Sequence, residues 1–249
     1  STRLRVVVGC DARTNSDVFA SDTATILSGH GIDVVQLPNA LPTPVLAFAV
    51  RHLNADAGVM VTASHNPPED NGYKVYLGGG DEGSQIIPPV DAEIEAHIHD
   101  VAEHLAWQEI PKSQELVTQA PAHLVDDYLS STIMSVDPSG KIHTELSVVY
   151  TPLHGVGEGT FLSAVHSAGM PAVHVVASQA KPDPKFPTVA FPNPEEKGAL
   201  DLSFELAREV KADLILANDP DADRLAVALP DSGSPAGYKA LTGNQLGAI

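Results

Sequence analysis

Cysteine, long apolar runs and basic residues are all scarce in this chain of 249 residues. The single cysteine, Cys10, rules out an internal disulfide and suits a reducing compartment, so we expect a cytoplasmic protein. No apolar run approaches the roughly 18 residues that a membrane span needs. Only 14 Lys and Arg stand against 32 Asp and Glu, a formal net charge of −18. Such a charge repels nucleic acids and anionic lipids, and we expect neither nucleic acid nor membrane as a partner.

The rest of the composition, with 43% hydrophobic residues, is that of a globular protein longer than one average domain. Residues 137–140 (DPSG) interrupt two regularly patterned regions and predict a domain boundary. We therefore predict one domain over residues 1–138 and a second over 139–240, with 241–249 beginning a third. Because the chain starts without Met and stops within an apparent helix, we expect it to be a fragment.

Short apolar runs alternate with helical patterns, which is typical of a parallel sheet with crossover helices. Strands are predicted over residues 5–9, 33–37, 58–62, 72–76, 146–150, 174–177, 213–217 and 225–229. Helices are predicted over 16–29 and 43–53, near 159–168 and 202–210, and from Val90 to Leu105, where the apolar spacing predicts one face packed on the core. The predicted fold is two similar α/β domains with mixed, mainly parallel sheets flanked by helices.

A loop with a serine, residues 62–68 (TASHNPP), follows one predicted strand. Its two prolines prevent helix or central strand from continuing, so Ser64 is held at a strand end, where ligands collect in open α/β sheets. His65 is adjacent, and Lys74 follows in the next strand-like segment. A serine needs a base or an already attached group to act as a nucleophile, and a capping serine is the alternative. The loop lacks the G-x-S-x-G turn of serine hydrolases.

An acidic loop, residues 219–224 (DPDADR), follows another apolar strand. Asp219, Asp221 and Asp223 recur at every second position, so their carboxylates can converge on one point if the chain turns. Carboxylate oxygens at this density suit Mg²⁺, whereas a calcium EF-hand would need glycine in place of Arg224. The Arg224 guanidinium could bind a phosphate oxygen or pair with the aspartates, and a solvated acidic turn is the remaining alternative.

Three glycines, Gly155, Gly157 and Gly159, lie between a predicted strand and a helix. The dinucleotide-binding pattern G-x-G-x-x-G would need its last glycine where Thr160 stands. About 20 residues further on, Ser178 offers no acidic group to bind a ribose. We therefore predict a tight turn.

The serine loop and the acidic loop, about 155 residues apart, together resemble the α-D-phosphohexomutase superfamily of phosphoglucomutases and phosphomannomutases. Four more segments look like the branch that holds phosphoglucomutase-2-like, phosphopentomutase-like and bacterial phosphomannomutase proteins. They are residues 9–13 (GCDAR), 71–74 (NGYK), 151–157 (TPLHGVG) and 191–196 (FPNPEE).

The resemblance implies an intramolecular phosphotransferase that interconverts hexose 1-phosphate and hexose 6-phosphate. Ser64 would carry the phosphoryl group, and its phosphate would join Asp219, Asp221 and Asp223 around one Mg²⁺. Glucose or mannose 1,6-bisphosphate would be intermediate and activator. His65 and Lys74 would transfer protons and stabilise charge. Phosphate or substrate would be bound by Arg13, Asn66, Asp223 and Arg224.

Members of the superfamily have four domains, and the resemblance covers only domains 1 and 2 and the opening of domain 3. The loops that select the sugar would lie in domains 3 and 4, so the implied substrates include glucose, mannose and pentose phosphates. The chain alone is expected to have little or no mutase activity. Two rival hypotheses are an Mg²⁺-dependent phosphatase with Asp219 as nucleophile and Asp221 as acid, and a non-catalytic sugar-phosphate-binding fragment.

Overall fold

The computed structural model describes residues 3–136, 145–169 and 172–248, which fold as two compact units. The first unit comprises Ser1–Cys10, Asn15–Thr62 and Asn71–Ala122. The second comprises Asp11–Thr14, Ala63–Asp70 and His123–Ile249. Two short loops from the N-terminal half of the chain are therefore part of the second unit. The boundary predicted at 137–140 lies outside the described residues and stays a prediction.

The first unit is built on a six-stranded mixed sheet, as far as its residues are described. Its strands are β1 (Arg5–Cys10), β2 (Asp33–Gln36), β3 (Ala57–Val61), β4 (Tyr73–Leu77), β5 (Ser84–Gln85) and β6 (Val117–Gln119). Its helices are α1 (Ser16–Gly29), α2 (Thr43–His52) and α3 (Val90–His104). The strand order is β5-β4-β3-β1-β2-β6. Strands β3, β1, β2 and β6 pair in parallel, whereas β4 pairs antiparallel with both β3 and β5.

Helices α1 and α2 cover opposite faces of this sheet. Side chains alternate along a strand, and in β1 the buried Val6 and Val8 pack with Ala20 of α1. Gly9 faces the other way, toward Leu46 of α2. The strand central to the sheet is thus apolar on both sides, which is the pattern of a buried parallel strand.

The structure corrects one prediction, the burial of α3. All 15 residues of this helix are described, and none is buried. The exposed fractions of Ile98 and Val101 are 62% and 45%. The spacing of apolar residues correctly predicted a helix with one apolar face, but spacing alone does not tell what covers that face.

The second unit has a mixed sheet of five strands among its described residues. Its elements are α4 (Leu124–Val136), β7 (Ser147–Thr151), α5 (Gly157–Ser167), β8 (Ala172–Val175), α6 (Asp201–Val210), β9 (Leu214–Ala217), β10 (Ala226–Pro230), β11 (Tyr238–Ala240) and α7 (Gly243–Leu246). The strand order is β11-β10-β9-β7-β8. Strands β8, β7 and β9 pair in parallel, whereas β10 pairs antiparallel with both β9 and β11.

Helices α5 and α6 cover the two faces of the second sheet. The α6 residue Ala207 packs with the buried Val149 and Ile215. On the other face, the ring of Tyr150 stacks on that of Phe161 in α5, with centroids 3.9 Å apart. Because β7 and β9 are parallel neighbours, the loops that follow them emerge at the same edge of the sheet. The predicted fold class is confirmed.

No helix in the described parts of the chain is long and apolar enough to cross a membrane.

Candidate active site

Within the second unit, the serine loop meets the loop that follows β9. The hydroxyl of Ser64 donates a hydrogen bond of 2.7 Å to Oδ2 of Asp219. Nδ1 of His65 lies 3.3 Å from the same hydroxyl oxygen. Ser64 is 8% exposed and Asp219 is fully buried. The structure thus brings together three of the predicted site residues, from two loops that are far apart in sequence.

The backbone of the serine loop is strained at Ser64, whose φ of 52° lies in the left-handed region. This conformation costs a residue other than glycine roughly 1–2 kcal/mol. Hydrogen bonds from the buried guanidinium of Arg13 offset that cost. Its Nη2 donates to the carbonyl oxygens of Ser64 and Asn66, both at 2.7 Å, and its Nη1 donates to that of Pro67 at 2.8 Å.

Three further groups contact the guanidinium of Arg13. Its Nη1 lies 3.4 Å from the carbonyl oxygen of Asp70, and its Nε lies 3.4 Å from Oδ2 of Asp11. The ring of Phe186 lies 5.1 Å from the guanidinium carbon. Burial lowers the pKa of Arg13, and the carboxylate of Asp11 opposes that shift. The N–H groups of Nη1 and Nη2 are thus directed at backbone oxygens, whereas Nε forms an ion pair with Asp11 and has no hydrogen-bond partner.

The three aspartates of the acidic loop converge. Asp219, Asp221 and Asp223 each offer a carboxylate oxygen, and these oxygens lie within 4.8 Å of one another. Asp219 and Asp221 are fully buried, whereas Asp223 is exposed. Burial, followed by the charge of Asp221, raises the pKa of Asp219 to about 7, although the hydrogen bond from Ser64 opposes the shift. Clustered carboxylate oxygens are the donors that a hard divalent cation prefers, so this set fits one.

The acidic loop is closed by hydrogen bonds between its own residues. Ala222 has a φ of 56°, and its N–H donates to the backbone oxygen of Asp219 at 2.9 Å. The N–H of Arg224 donates to Oδ1 of Asp219 at 3.0 Å. The side-chain nitrogen of Asn218 donates to the backbone oxygen of Arg224. Both carboxylate oxygens of Asp219 therefore accept hydrogen bonds, one from each loop.

Glycines after β7 let a third loop pack against the acidic one, which the sequence did not predict. The N–H of Val156 donates to the backbone oxygen of Pro220 at 2.9 Å. A Cβ at Gly155 would lie 2.3 Å from that oxygen, and one at Gly157 would lie 2.7 Å from the hydroxyl of Tyr150. The glycine spacing was the signal for this close approach, although it predicted only a tight turn.

Known families match both halves of the chain. The family described as phosphoglucomutase/phosphomannomutase, alpha/beta/alpha domain I, matches residues 1–104, and domain II of the same family matches residues 126–233. The chain belongs to this family. The predicted superfamily, with its first two domains, is confirmed.

Individual relatives are similar over nearly the whole chain. The "Probable phosphomannomutase" of Haemophilus influenzae is 51% identical over 243 residues, which are 97% of this chain and 48% of the relative. The human phosphopentomutase is 42% identical over 256 residues, which are 98% of this chain and 41% of the relative. The chain thus spans about half the length of these relatives or less.

Solved structures share the fold. A crystal structure of a Thermus thermophilus protein matches with a TM-score of 0.69 and 28% identity, over 95% of this chain and 50% of that one. A phosphoglucomutase/phosphomannomutase family protein from Burkholderia thailandensis matches with a TM-score of 0.71 and 24% identity, over 91% of this chain and 46% of the other. These likenesses agree with two α/β domains.

Three other predicted site residues, Lys74, Asn66 and Arg224, are less buried than Ser64 and Asp219. Lys74 is a half-buried residue of β4 in the first unit, paired in register with Met60 of β3. Its role in proton transfer stays a prediction. In the second unit, Asn66 and Arg224 are exposed. Their side chains are accessible to a ligand, whereas the guanidinium of Arg13 lies beneath the loop backbone.

Proposed function

We propose that this chain carries the phosphoryl-transfer machinery of a phosphohexomutase, with Ser64 as the phosphoryl carrier. The observation that supports the proposal most strongly is the 2.7 Å hydrogen bond between Ser64 and Asp219, which joins the serine to the aspartate cluster. The names of the relatives, phosphomannomutase and phosphopentomutase, agree with this chemistry. The substrate class is a sugar phosphate.

The proposed cycle transfers one phosphoryl group in each direction. A sugar hydroxyl attacks the phosphorus of phosphorylated Ser64, so a bond forms from phosphorus to the sugar oxygen and the bond to the serine oxygen breaks. The sugar becomes a bisphosphate, such as glucose or mannose 1,6-bisphosphate, and Ser64 regains a hydroxyl with a proton that came from the sugar. In the second step the serine oxygen attacks the phosphorus of the other phosphate of the bisphosphate. The bond from that phosphorus to the sugar oxygen breaks, and the serine proton passes to the sugar oxygen. His65, with Nδ1 3.3 Å from the serine oxygen, is placed to hold the proton.

The residues that would hold a cation are Asp219, Asp221 and Asp223, together with the phosphate on Ser64. Mg²⁺, when bound, would offset the roughly −1.5 to −2 charges of a phosphoserine and polarise the phosphoryl group. A phosphorylated Ser64 has no hydroxyl proton to donate, so Oδ2 of Asp219 loses its present partner. We expect that oxygen to become available to a cation when the serine is phosphorylated.

Arg13 is better suited to hold the serine loop than to bind phosphate. The N–H groups of its two terminal nitrogens donate to the loop carbonyls, so a phosphate would have to displace these hydrogen bonds. We propose that Arg13 keeps Ser64 in its left-handed conformation, while the exposed Asn66, Asp223 and Arg224 contact substrate or phosphate.

The phosphatase hypothesis is less favoured. A nucleophilic Asp219 would need an oxygen open to an incoming phosphorus. The Asp219 side chain is instead fully buried, and its two oxygens accept hydrogen bonds from Ser64 and from the N–H of Arg224. The hypothesis of a non-catalytic fragment is not favoured either, because the relatives are named as mutases.

The proposal is tested by finding where a phosphoryl group becomes attached. The protein encoded by the complete gene is incubated with Mg²⁺ and glucose 1,6-bisphosphate that carries labelled phosphate, then digested and sequenced by mass spectrometry. We expect the label on Ser64. Ser64→Ala should lower both labelling and mutase activity by roughly a thousandfold or more, whereas Ser203→Ala, at a buried serine of α6, should retain both. Label on Asp219 would refute the proposal.

A further inference from the structure

A buried tyrosine of β7 lies next to the acidic loop. Tyr150, near the end of β7, is fully buried, and its hydroxyl donates a hydrogen bond of 2.8 Å to Oδ1 of Asn218. Burial, with the charge of Glu158 nearby, raises the pKa of Tyr150, so the hydroxyl keeps its proton. Gly157 leaves room for this hydroxyl, because a Cβ there would lie 2.7 Å from it.

Asn218 connects the two ends of the acidic loop. Its backbone N–H donates to the oxygen of Thr151 at 3.0 Å, which anchors the residue to β7. Its side-chain nitrogen donates to the backbone oxygen of Arg224, six residues later. The amide can do this in only one orientation, since the opposite one would place its oxygen against the oxygen of Arg224. The hydroxyl of Tyr150 favours the productive orientation by donating to the amide oxygen.

Closure of the loop in turn orients the carboxylate of Asp219. With the oxygen of Arg224 held by Asn218, the N–H of Arg224 points at Oδ1 of Asp219, 3.0 Å away. A continuous path therefore runs from Tyr150 through Asn218 and the Arg224 backbone to Asp219. The other oxygen of that carboxylate accepts from Ser64.

We infer that Tyr150 and Asn218 are positioning residues for the cation: the tyrosine hydroxyl orients the Asn218 amide, which closes the acidic loop and sets Asp219 for binding. This inference rests on the proposed function only in that Asp219, Asp221 and Asp223 bind a divalent cation. Groups that orient metal ligands through hydrogen bonds generally change affinity by about 10–100-fold when they are removed.

The test measures cation affinity, with Mn²⁺ as the probe in electron paramagnetic resonance and Mg²⁺ as the competitor. Tyr150→Phe removes only the hydroxyl oxygen, and we expect it to weaken Mn²⁺ and Mg²⁺ binding by about tenfold. Tyr238→Phe is the matched control. Tyr238 is also buried, in the same unit, but its hydroxyl contacts the backbone oxygens of Ala207 and Ala212. It should keep the wild-type affinity.

A double-mutant cycle separates this path from a general loss of stability. Asn218→Ala should weaken binding at least as much as Tyr150→Phe, and the double variant should lose no more affinity than Asn218→Ala alone.

Wild-type affinity in Tyr150→Phe, or an equal loss in Tyr238→Phe, would overturn the inference while leaving the proposed cation site intact. Failure of the wild-type protein to bind Mn²⁺, or undiminished binding by Asp221→Asn, would overturn the site itself and the inference with it. If Tyr150→Phe does not fold, Asn218→Ala tests the inference against the same control.

Discussion

The hydroxyl of Ser64 and the carboxylate of Asp219 lie 2.7 Å apart, although 155 residues separate them in the chain. Asp219 has two roles at once, since it accepts a hydrogen bond from the Ser64 hydroxyl and supplies one oxygen of the aspartate cluster. Phosphorylation of Ser64 or a change in the protonation of Asp219 therefore affects both the proposed phosphoryl carrier and the proposed cation site.

The first prediction concerns how stability depends on pH in the absence of cations. Folding raises the pKa of Asp219 from an ordinary value of 3.8 to about 7, so the folded protein holds a proton that the unfolded chain has released. Stability from this group is present below about pH 4 and is lost as the pH rises toward 7. In EDTA, we expect the melting temperature to fall between pH 5 and pH 8. Mg²⁺ should reverse much of the fall at pH 8.

Asp219→Asn is the control for this pH dependence, because its amide does not titrate. The variant should have a flatter profile of melting temperature against pH and should gain little from Mg²⁺. Profiles of the same slope in both proteins would show that Asp219 does not have the raised pKa.

The second prediction concerns Arg13 and the serine loop. Lysine keeps the charge but offers one ammonium group, which cannot reach the carbonyl oxygens of Ser64, Asn66 and Pro67 in the geometry of a guanidinium. We expect Arg13→Lys to lower the free energy of unfolding by roughly 2–4 kcal/mol, as loss of buried charged contacts does. It should also slow labelling of Ser64 in the protein encoded by the complete gene.

Arg208→Lys is a suitable control for that experiment. Arg208 is exposed and donates to a single backbone oxygen, that of Ala236, so its replacement should leave urea denaturation and labelling nearly unchanged. Arg13→Lys with wild-type labelling would indicate that the loop keeps its conformation without the guanidinium.

The elements that the sequence predicted best have strong local patterns. The predicted and observed bounds of α1 agree, and the parallel strands β1, β3 and β9 agree within two residues at each end. Short or weakly patterned elements such as β6 and α4 were not predicted. The burial of α3 was predicted wrongly, because an apolar face shows only which residues could be covered. What covers them depends on contacts between elements that are distant in sequence.

The same distinction applies to the candidate site. Ser64 and the three aspartates were found because each loop has an unusual local composition at a strand end. Tyr150 and Asn218 were missed as supporting residues, because their roles depend on which side chain each one meets across the sheet. Arg13 was identified, but the sequence could not show that the carbonyls of the serine loop would surround its guanidinium.

The third prediction compares two glycines of one short segment. Gly155 has no room for a side chain, because a Cβ would lie 2.3 Å from the backbone oxygen of Pro220 in the acidic loop. Gly155→Ala must shift that backbone, and we expect it to destabilise the protein by about 1–3 kcal/mol and to weaken Mg²⁺ binding.

Gly159, within α5, is the control. Apart from its chain neighbours and the backbone of its own helix, no described atom lies within 4 Å of the position that a Cβ would take. Gly159→Ala should instead stabilise the protein by up to about 1 kcal/mol through helix propensity, with Mg²⁺ affinity unchanged. Urea denaturation and isothermal titration with Mg²⁺ measure both effects, and equal responses of the two variants would contradict the close packing of the loop after β7 against the acidic loop.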